Sequence, residues 1–136
     1  EVLRDAGARP SSVWQLLGAG AVGSQSLLAI PWLSQMRRRH RRLDVWPFTT
    51  GLRPPEVAAG GAVLAEVWPS MFPTPTGEPR DRMQVEVTAA RLAAADRTGE
   101  LAGWFSPPVA AEWRDAVEHE EGWVLGVAGC TGPRVT

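Results

Sequence analysis

The chain has 136 residues, of which 44% are hydrophobic, with 14 basic and 15 acidic side chains and a formal net charge of -1. This length is typical of one domain with a real core, and the balanced charge gives no overall bias toward nucleic acid. No apolar run approaches the ~18 residues of a transmembrane helix, and no signal-peptide pattern is present. The single Cys130 excludes an internal disulfide and a thiolate metal cluster. We therefore expect a cytoplasmic protein with no membrane partner.

The first long element predicted by the sequence is a helix over about residues 21–39. Leu28, Trp32 and Met36 recur there every four positions, which is the spacing of one helical face. Pro31 lies inside this stretch and lacks an N–H group, so it predicts either a kink or the start of a second helix.

Three glycines that spell GxGxxG lie at the start of this helix: Gly18, Gly20 and Gly23. A dinucleotide site needs a strand before them, for which "VWQLL" is the candidate, and an acid at the end of the next strand. Asp44 is at the right sequence distance but begins its strand, which disfavours that interpretation. The alternatives are a tight turn against which the helix docks closely, or a phosphate-binding turn at the helix N–H groups.

A dense basic cluster follows in "MRRRHRR", residues 36–42. One interpretation is that the cluster binds the phosphates of a nucleic acid, with the nearby Trp46 suited to a single strand. The other is a solvated helix end whose cations interact favourably with the C-terminal dipole. The candidate nucleic-acid-binding residues are Arg37, Arg38, Arg39, Arg41 and Arg42.

Two strands are predicted next, in "LDVWPF" (43–48) and "AVLAEVW" (62–68), separated by a loop over 49–61 that is rich in Gly and Pro. Strand alternation places Glu66 on the same face as Leu64 and Trp68. A carboxylate among apolar neighbours is costly to bury unless it is paired or bound to a cation. Glu66 is therefore either a side chain that reaches water from an edge strand or a ligand for a hard cation.

A helix over about 80–95 follows Pro79, which is tolerated at a helix start. Asp81 in its first turn is either a favourable charge at the helix N-terminus or the second ligand of a cation held by Glu66. The predicted apolar face of this helix comprises Met83, Val87, Ala90 and Ala94, while Arg82 and Glu86 share another face.

Two shorter helices complete the prediction, one capped by Thr98 and ending at Phe105, the other opening at 106–108 and ending near Glu121. Three carboxylates and one imidazole lie in "EHEEGW", at 118–123, without the H-E-x-x-H pattern of a metalloprotease. The segment is either a solvated acidic turn or a source of a further metal ligand, with Glu118 and Glu121 on one face.

Several stretches together resemble one family: "PSSVWQLLGAGAVGSQSL", "DVWPF", "VLAEVWPSMF", "RDRMQV" and "EEGWVLGV". They are similar to bacterial proteins of unknown function that are classed as predicted nucleases with a ribonuclease H-like fold, some with a cobalamin-biosynthesis label. The resemblance covers about residues 10–127. It implies an α/β, partial ribonuclease H-like domain, with a small mixed sheet and several packed helices. Residues 1–136 would then form a single domain, the C-terminal part of that fold.

The resemblance also implies a metal-dependent phosphodiester hydrolase acting on nucleic acid. Glu66 and Asp81 match the strand and helix carboxylates that bind Mg²⁺ or Mn²⁺ in such enzymes, and Glu121, or its neighbour Glu120, is a weaker third metal ligand. Ribonuclease H-like folds carry their first metal-binding Asp on an N-terminal hairpin. Neither this Asp nor the hairpin has a counterpart before Pro10. We therefore expect a missing hairpin, reduced activity and self-association through an exposed sheet edge.

Two other function classes remain open. One is a non-catalytic module that binds a phosphate or nucleotide at the turn formed by Gly18, Gly20 and Gly23. The other is a structural or interaction domain.

Overall fold

A computed structural model of the chain describes residues 14–18, 21–73 and 79–127. Within these residues the protein is mixed α/β, with four α-helices and a small sheet of two parallel strands. In chain order the elements are α1 (Gly23–Arg39), β1 (Leu43–Val45), β2 (Ala62–Leu64), a 3-10 turn (Pro69–Met71), α2 (Arg80–Thr98), α3 (Glu100–Trp104), α4 (Ala111–Ala116) and a π-helical turn (Val117–Glu121).

The chain divides into two compact units. The first comprises Glu1–Asp44 and Val57–Val63, and the second comprises Val45–Glu56 and Leu64–Thr136.

Helix α1 belongs to the first unit and confirms the helix predicted over 21–39. It runs through Pro31 as one element, so the proline does not start a second helix. The helix ends where the backbone N–H of His40 donates to the carbonyl of Met36 at 2.8 Å. The large apolar side chains of α1 are mostly exposed.

The two strands are shorter than the sequence predicts but lie in the predicted stretches. In the first unit the N–H of Ala62 donates to the carbonyl of Arg42 at 3.0 Å. In the second unit the N–H of Trp46 donates to the carbonyl of Leu64 at 2.9 Å. Beyond this pair, the carbonyl of Glu66 accepts the N–H of Leu125 at 2.8 Å. Of the predicted mixed sheet, the described residues therefore contain only this parallel pair and a parallel bridge between Glu66 and Val124.

The core of the second unit is built around Trp46, whose side chain is 2% exposed. Its ring meets Phe105 edge to face, with the centroids 5.6 Å apart, and its indole N–H donates to the Phe105 carbonyl at 3.2 Å. An aromatic side chain so placed contributes a large buried apolar area and satisfies its polar atom as well. Other buried residues of this core are Leu52, Phe72, Ala95, Trp104, Val109, Val117, Trp123, Val124, Leu125 and Val127.

Helix α2 confirms the predicted helix after Pro79, and its packed face overlaps the predicted apolar face in part. Met83, Val87 and Ala94 are half-buried, but the buried residues are Thr88 and Ala95, and Ala90 from the predicted face is exposed. Alanines occur all round this helix, so apolar spacing alone did not fix the side that packs. The predicted neighbours Arg82 and Glu86 do share a face, since they form an ion pair at 2.8 Å.

The later helices begin at other residues than predicted. Gly99 precedes α3, whereas Thr98 ends α2 and donates from its hydroxyl to the carbonyl of Ala94 at 3.2 Å. Helix α4 begins at Ala111 instead of 106–108, and its last turn widens into the π-helical turn before Gly122.

Candidate anion-binding site

A tight loop follows β1 in the second unit and forms one wall of the candidate site. The N–H of Thr49 donates to the carbonyl of Val45 at 2.9 Å, and the N–H of Gly51 donates to Pro47 at 2.7 Å. Gly51 has φ +71°, a left-handed conformation that glycine adopts without steric cost. The loop thereby reverses direction within a few residues. This reversal places the backbone N–H of Leu52 beside Glu118.

The other wall is the end of α4 and the π-helical turn. The N–H of Gly122 donates to the carbonyl of Val117, five residues earlier, at 3.0 Å. Such widened turns occur often at functional sites. Glu118 in this turn is half-buried, whereas His119 beside it is exposed.

Glu118 links the two walls. Its Oε1 accepts the backbone N–H of Leu52 at 2.9 Å and the Nη1 of Arg114 at 3.1 Å. The hydrogen bond from Leu52 lowers the pKa of the Glu118 carboxyl, against a smaller opposing effect of burial and with further lowering by Arg114. The carboxylate is therefore ionised at neutral pH, and its charge is already paired with Arg114.

A cavity of about 430 Å³ opens between these walls. Its ionisable lining comprises the guanidinium groups of Arg53 and Arg114, the Glu118 carboxylate and the His119 imidazole. Two guanidinium cations face one carboxylate, so these three groups together carry one unit of net positive charge. The rest of the lining is Pro47, Phe48, Thr49, Thr50, Gly51 and Leu52.

Arg53 is exposed, and one hydrogen bond orients its side chain. Its Nε donates to the carbonyl of Thr50 at 2.8 Å. Within the described residues its terminal nitrogens make no hydrogen bond, so four of the five guanidinium N–H donors remain for an anion.

We expect the Glu118→Ala variant to lower the free energy of unfolding at pH 7 by about 1–2 kcal/mol, because the Leu52 N–H loses its charged acceptor. The folded-state pKa of Glu118 is lowered, so its contribution is full above the ordinary pKa of Glu. The contribution is lost as the pH falls through the folded-state value. Urea unfolding at pH 7 and at pH 3 measures both effects, with the exposed Glu120→Gln as the matched control. A difference between wild type and Glu118→Ala that is as large at pH 3 as at pH 7 would contradict this assignment.

The predicted metal ligands lie elsewhere. Glu66 is exposed, and its Oε1 accepts the indole N–H of Trp68 at 2.8 Å, as the predicted shared face implies. Asp81 is exposed in the first turn of α2, and Glu121 is exposed at the end of the π-helical turn. No three His, Cys, Asp or Glu side chains among residues 14–18, 21–73 and 79–127 come together to hold a metal ion. A site for Mg²⁺ or Mn²⁺ at Glu66, Asp81 and Glu121 stays a prediction.

The glycine pattern takes the form of a turn. Gly18 has φ +100°, and Gly23 is the buried first residue of α1, with its N–H donating to the carbonyl of Gln15 at 3.1 Å. Gly20 lies outside the described residues. Residues 14–17 form a turn and irregular chain, not the strand predicted in "VWQLL". The dinucleotide interpretation therefore lacks its strand, and the phosphate-binding turn stays a prediction.

The basic cluster is exposed at the end of α1 and beyond it. Arg37, Arg38 and Arg39 occupy the last turn of the helix, and Arg41 is exposed after it. Arg42 has a structural role, since its Nη1 donates to the carbonyl of Ala59 at 2.7 Å. Contact of this cluster with a nucleic-acid backbone stays a prediction.

Sequence reasoning missed the site in the second unit. Arg53 and Arg114 have no basic neighbours in the sequence, and neither belongs to a motif. The signal that was present is "TTGLR", a short loop with hydroxyls, a glycine and an arginine directly after a predicted strand. Such loops at strand ends often carry function.

Comparisons with known proteins leave the site to be interpreted from its own geometry. No family model, no curated protein and no solved structure matches the chain. Among the described residues, no helix has both the length and the apolar character needed to cross a bilayer.

Proposed function

We propose that the protein binds a phosphate-bearing ligand in the cavity between the loop at 47–53 and the wall at 114–119. The observation that carries the proposal is that the cavity holds more arginine cations than carboxylates. Arg53 and Arg114 line one cavity, and the one carboxylate that lines it among the described residues, that of Glu118, is already bonded to Leu52 and Arg114.

The chemistry of the cavity suits phosphate better than a neutral ligand. A guanidinium presents N–H donors in a planar fork that matches two phosphate oxygens. His119 lies at the rim, with its Nδ1 3.1 Å from Oδ1 of Asp115. The size of about 430 Å³ lies within the range of small-ligand pockets and suits a phosphate with an attached sugar.

We expect the Arg53→Gln variant to bind a phosphate ligand about tenfold more weakly than wild type, because it loses the charge-assisted hydrogen bonds of the guanidinium. Isothermal titration with adenosine monophosphate, inorganic phosphate and a short single-stranded oligonucleotide separates a free phosphate site from a nucleotide or nucleic-acid site. The matched control is Arg97→Gln, an exposed arginine at the end of α2. Equal affinity in Arg53→Gln and Arg97→Gln, or no binding by the wild type, would overturn the proposal.

Phosphodiester hydrolysis on a ribonuclease H-like fold is a second proposal. It is supported by the sequence resemblance and by the exposed carboxylate of Glu66, two residues after β2. A nuclease assay with Mg²⁺ or Mn²⁺ that compares wild type with Glu66→Gln tests it. We expect cleavage by the wild type and its loss in the variant; no cleavage, or equal cleavage by both, would remove Glu66 from the mechanism.

A further inference from the structure

The cavity between the loop at 47–53 and the wall at 114–119 is larger than a phosphate group needs. Its volume of about 430 Å³ leaves room beside the two guanidinium groups for a further part of the ligand. Apolar surface bounds part of that room, because Pro47, Phe48 and Leu52 belong to the lining. The chemistry of the remaining lining residues therefore indicates what is attached to the phosphate.

Phe48 supplies aromatic surface to this cavity. It is a large apolar residue, yet it is 46% exposed. The far end of its ring lies against Gly122, where a Cβ atom would come within 3.0 Å of Cζ. Among the described residues no other aromatic ring stacks on it. An exposed aromatic ring in a cavity wall is suited to stacking on a flat aromatic ligand such as a nucleobase.

His119 contributes a hydrogen-bond acceptor from the other wall. Its Nδ1 lies 3.0 Å from the carbonyl oxygen of Asp115 and 3.1 Å from Oδ1 of the same residue. Both oxygens act only as acceptors, so Nδ1 carries the proton. In the neutral imidazole Nε2 is then an acceptor, and among the described residues it makes no hydrogen bond. An acceptor beside guanidinium donors suits the hydroxyl of a sugar and does not suit a second anionic group.

We propose that the ligand is a free nucleoside monophosphate. The inference rests on the proposed phosphate site, in which Arg53 and Arg114 bind the phosphate. A ribose hydroxyl donates to Nε2 of His119, and the base stacks on Phe48. A phosphomonoester offers three terminal oxygens to the two guanidinium groups, whereas a phosphate within a nucleic-acid chain offers two. Phosphate, sugar and base thus each meet a lining group of matching chemistry.

A series of ligands tests this inference on the wild type. Isothermal titration at pH 8 compares inorganic phosphate, ribose 5-phosphate and adenosine monophosphate. We expect ribose 5-phosphate to bind about fivefold more tightly than inorganic phosphate, because it adds a hydrogen bond. We expect adenosine monophosphate to bind at least about tenfold more tightly than ribose 5-phosphate, because it adds base stacking.

Two substitutions test the individual contacts. Phe48→Leu keeps apolar bulk without the ring, and we expect it to weaken binding of adenosine monophosphate about tenfold and to leave ribose 5-phosphate unaffected. Its matched control is Trp113→Leu, which removes a ring that is 44% exposed and outside the cavity lining. His119→Asn keeps an N–H donor near the position of Nδ1 but lacks Nε2. We expect it to weaken binding of both sugar phosphates about fivefold and of inorganic phosphate not at all, with the exposed His40→Asn as control.

The outcomes separate this inference from the proposed phosphate site. If the wild type binds adenosine monophosphate no more tightly than ribose 5-phosphate, the nucleotide assignment is overturned and the phosphate site stands. The same holds if an oligoadenylate without a terminal phosphate binds more tightly than adenosine monophosphate, or if either variant binds like its control. If the wild type binds no phosphate ligand, both proposals fail. Should Phe48→Leu not fold, the wild-type series still decides, because it needs no substitution.

Discussion

The Trp46→Ala variant is expected to lose about 3–5 kcal/mol of the free energy of unfolding, which is the usual cost of truncating a buried large aromatic residue. Trp46 is the residue around which the core of the second unit is built. The substitution removes its edge-to-face contact with Phe105 and leaves the Phe105 carbonyl without its indole donor. The loop at 47–53 begins directly after Trp46, so the candidate site is expected to lose its order as well.

Guanidinium unfolding followed by far-ultraviolet circular dichroism measures this loss. The control is Trp113→Ala on α4, because Trp113 is 44% exposed and has far less apolar surface to lose. We expect the control to cost less than about 1.5 kcal/mol. An equal loss in both variants would contradict the central position of Trp46 in the core.

The Gly122→Ala variant is expected to cost about 2–3 kcal/mol, because two separate effects oppose a side chain there. Gly122 has φ 75° and ψ -173°, a combination that residues with a side chain rarely adopt. A Cβ atom at this position would also lie 3.0 Å from Cζ and 3.2 Å from Cε2 of the Phe48 ring. Phe48 lines the candidate cavity, so the substitution is expected to weaken phosphate binding along with stability.

Gly103 provides the matched control for this substitution. It lies inside α3, and a Cβ atom built there has no neighbour within 4 Å. Gly103→Ala is therefore expected to stabilise the chain by about 0.5–1 kcal/mol, since alanine reduces the conformational freedom of the unfolded state. Thermal melts of both variants measure the two effects, and a shift of the same sign in both would contradict the assigned backbone roles.

The sequence predicted the elements well where one local signal dominated. The long helix over 21–39 has sustained helical spacing, and Pro79 and Gly122 bound the elements beside them as expected. The start of α3 was wrong by a short distance because both Thr98 and Gly99 are good terminus residues, and the choice between them depends on how α2 ends. The packed face of α2 was predicted only in part, because its many alanines give little apolar contrast.

The candidate site was not predictable because it depends on a contact between distant residues. Leu52 and Glu118 are separated by 66 positions, and no local pattern links a loop amide to a particular carboxylate. The predicted carboxylates Glu66, Asp81 and Glu121 are compatible with a metal site in type and spacing, but only coordinates show whether such groups converge.

The most direct test of the anion site is a titration of the ¹⁵N-labelled chain with inorganic phosphate, followed by amide chemical shifts. We expect saturable shifts at the backbone amides of Gly51, Leu52 and Arg53 and at His119, with little change along α1. Shifts confined to the start of α1 near Gly23, or no saturable shift anywhere in the loop at 47–53, would contradict a phosphate site built on Arg53 and Arg114.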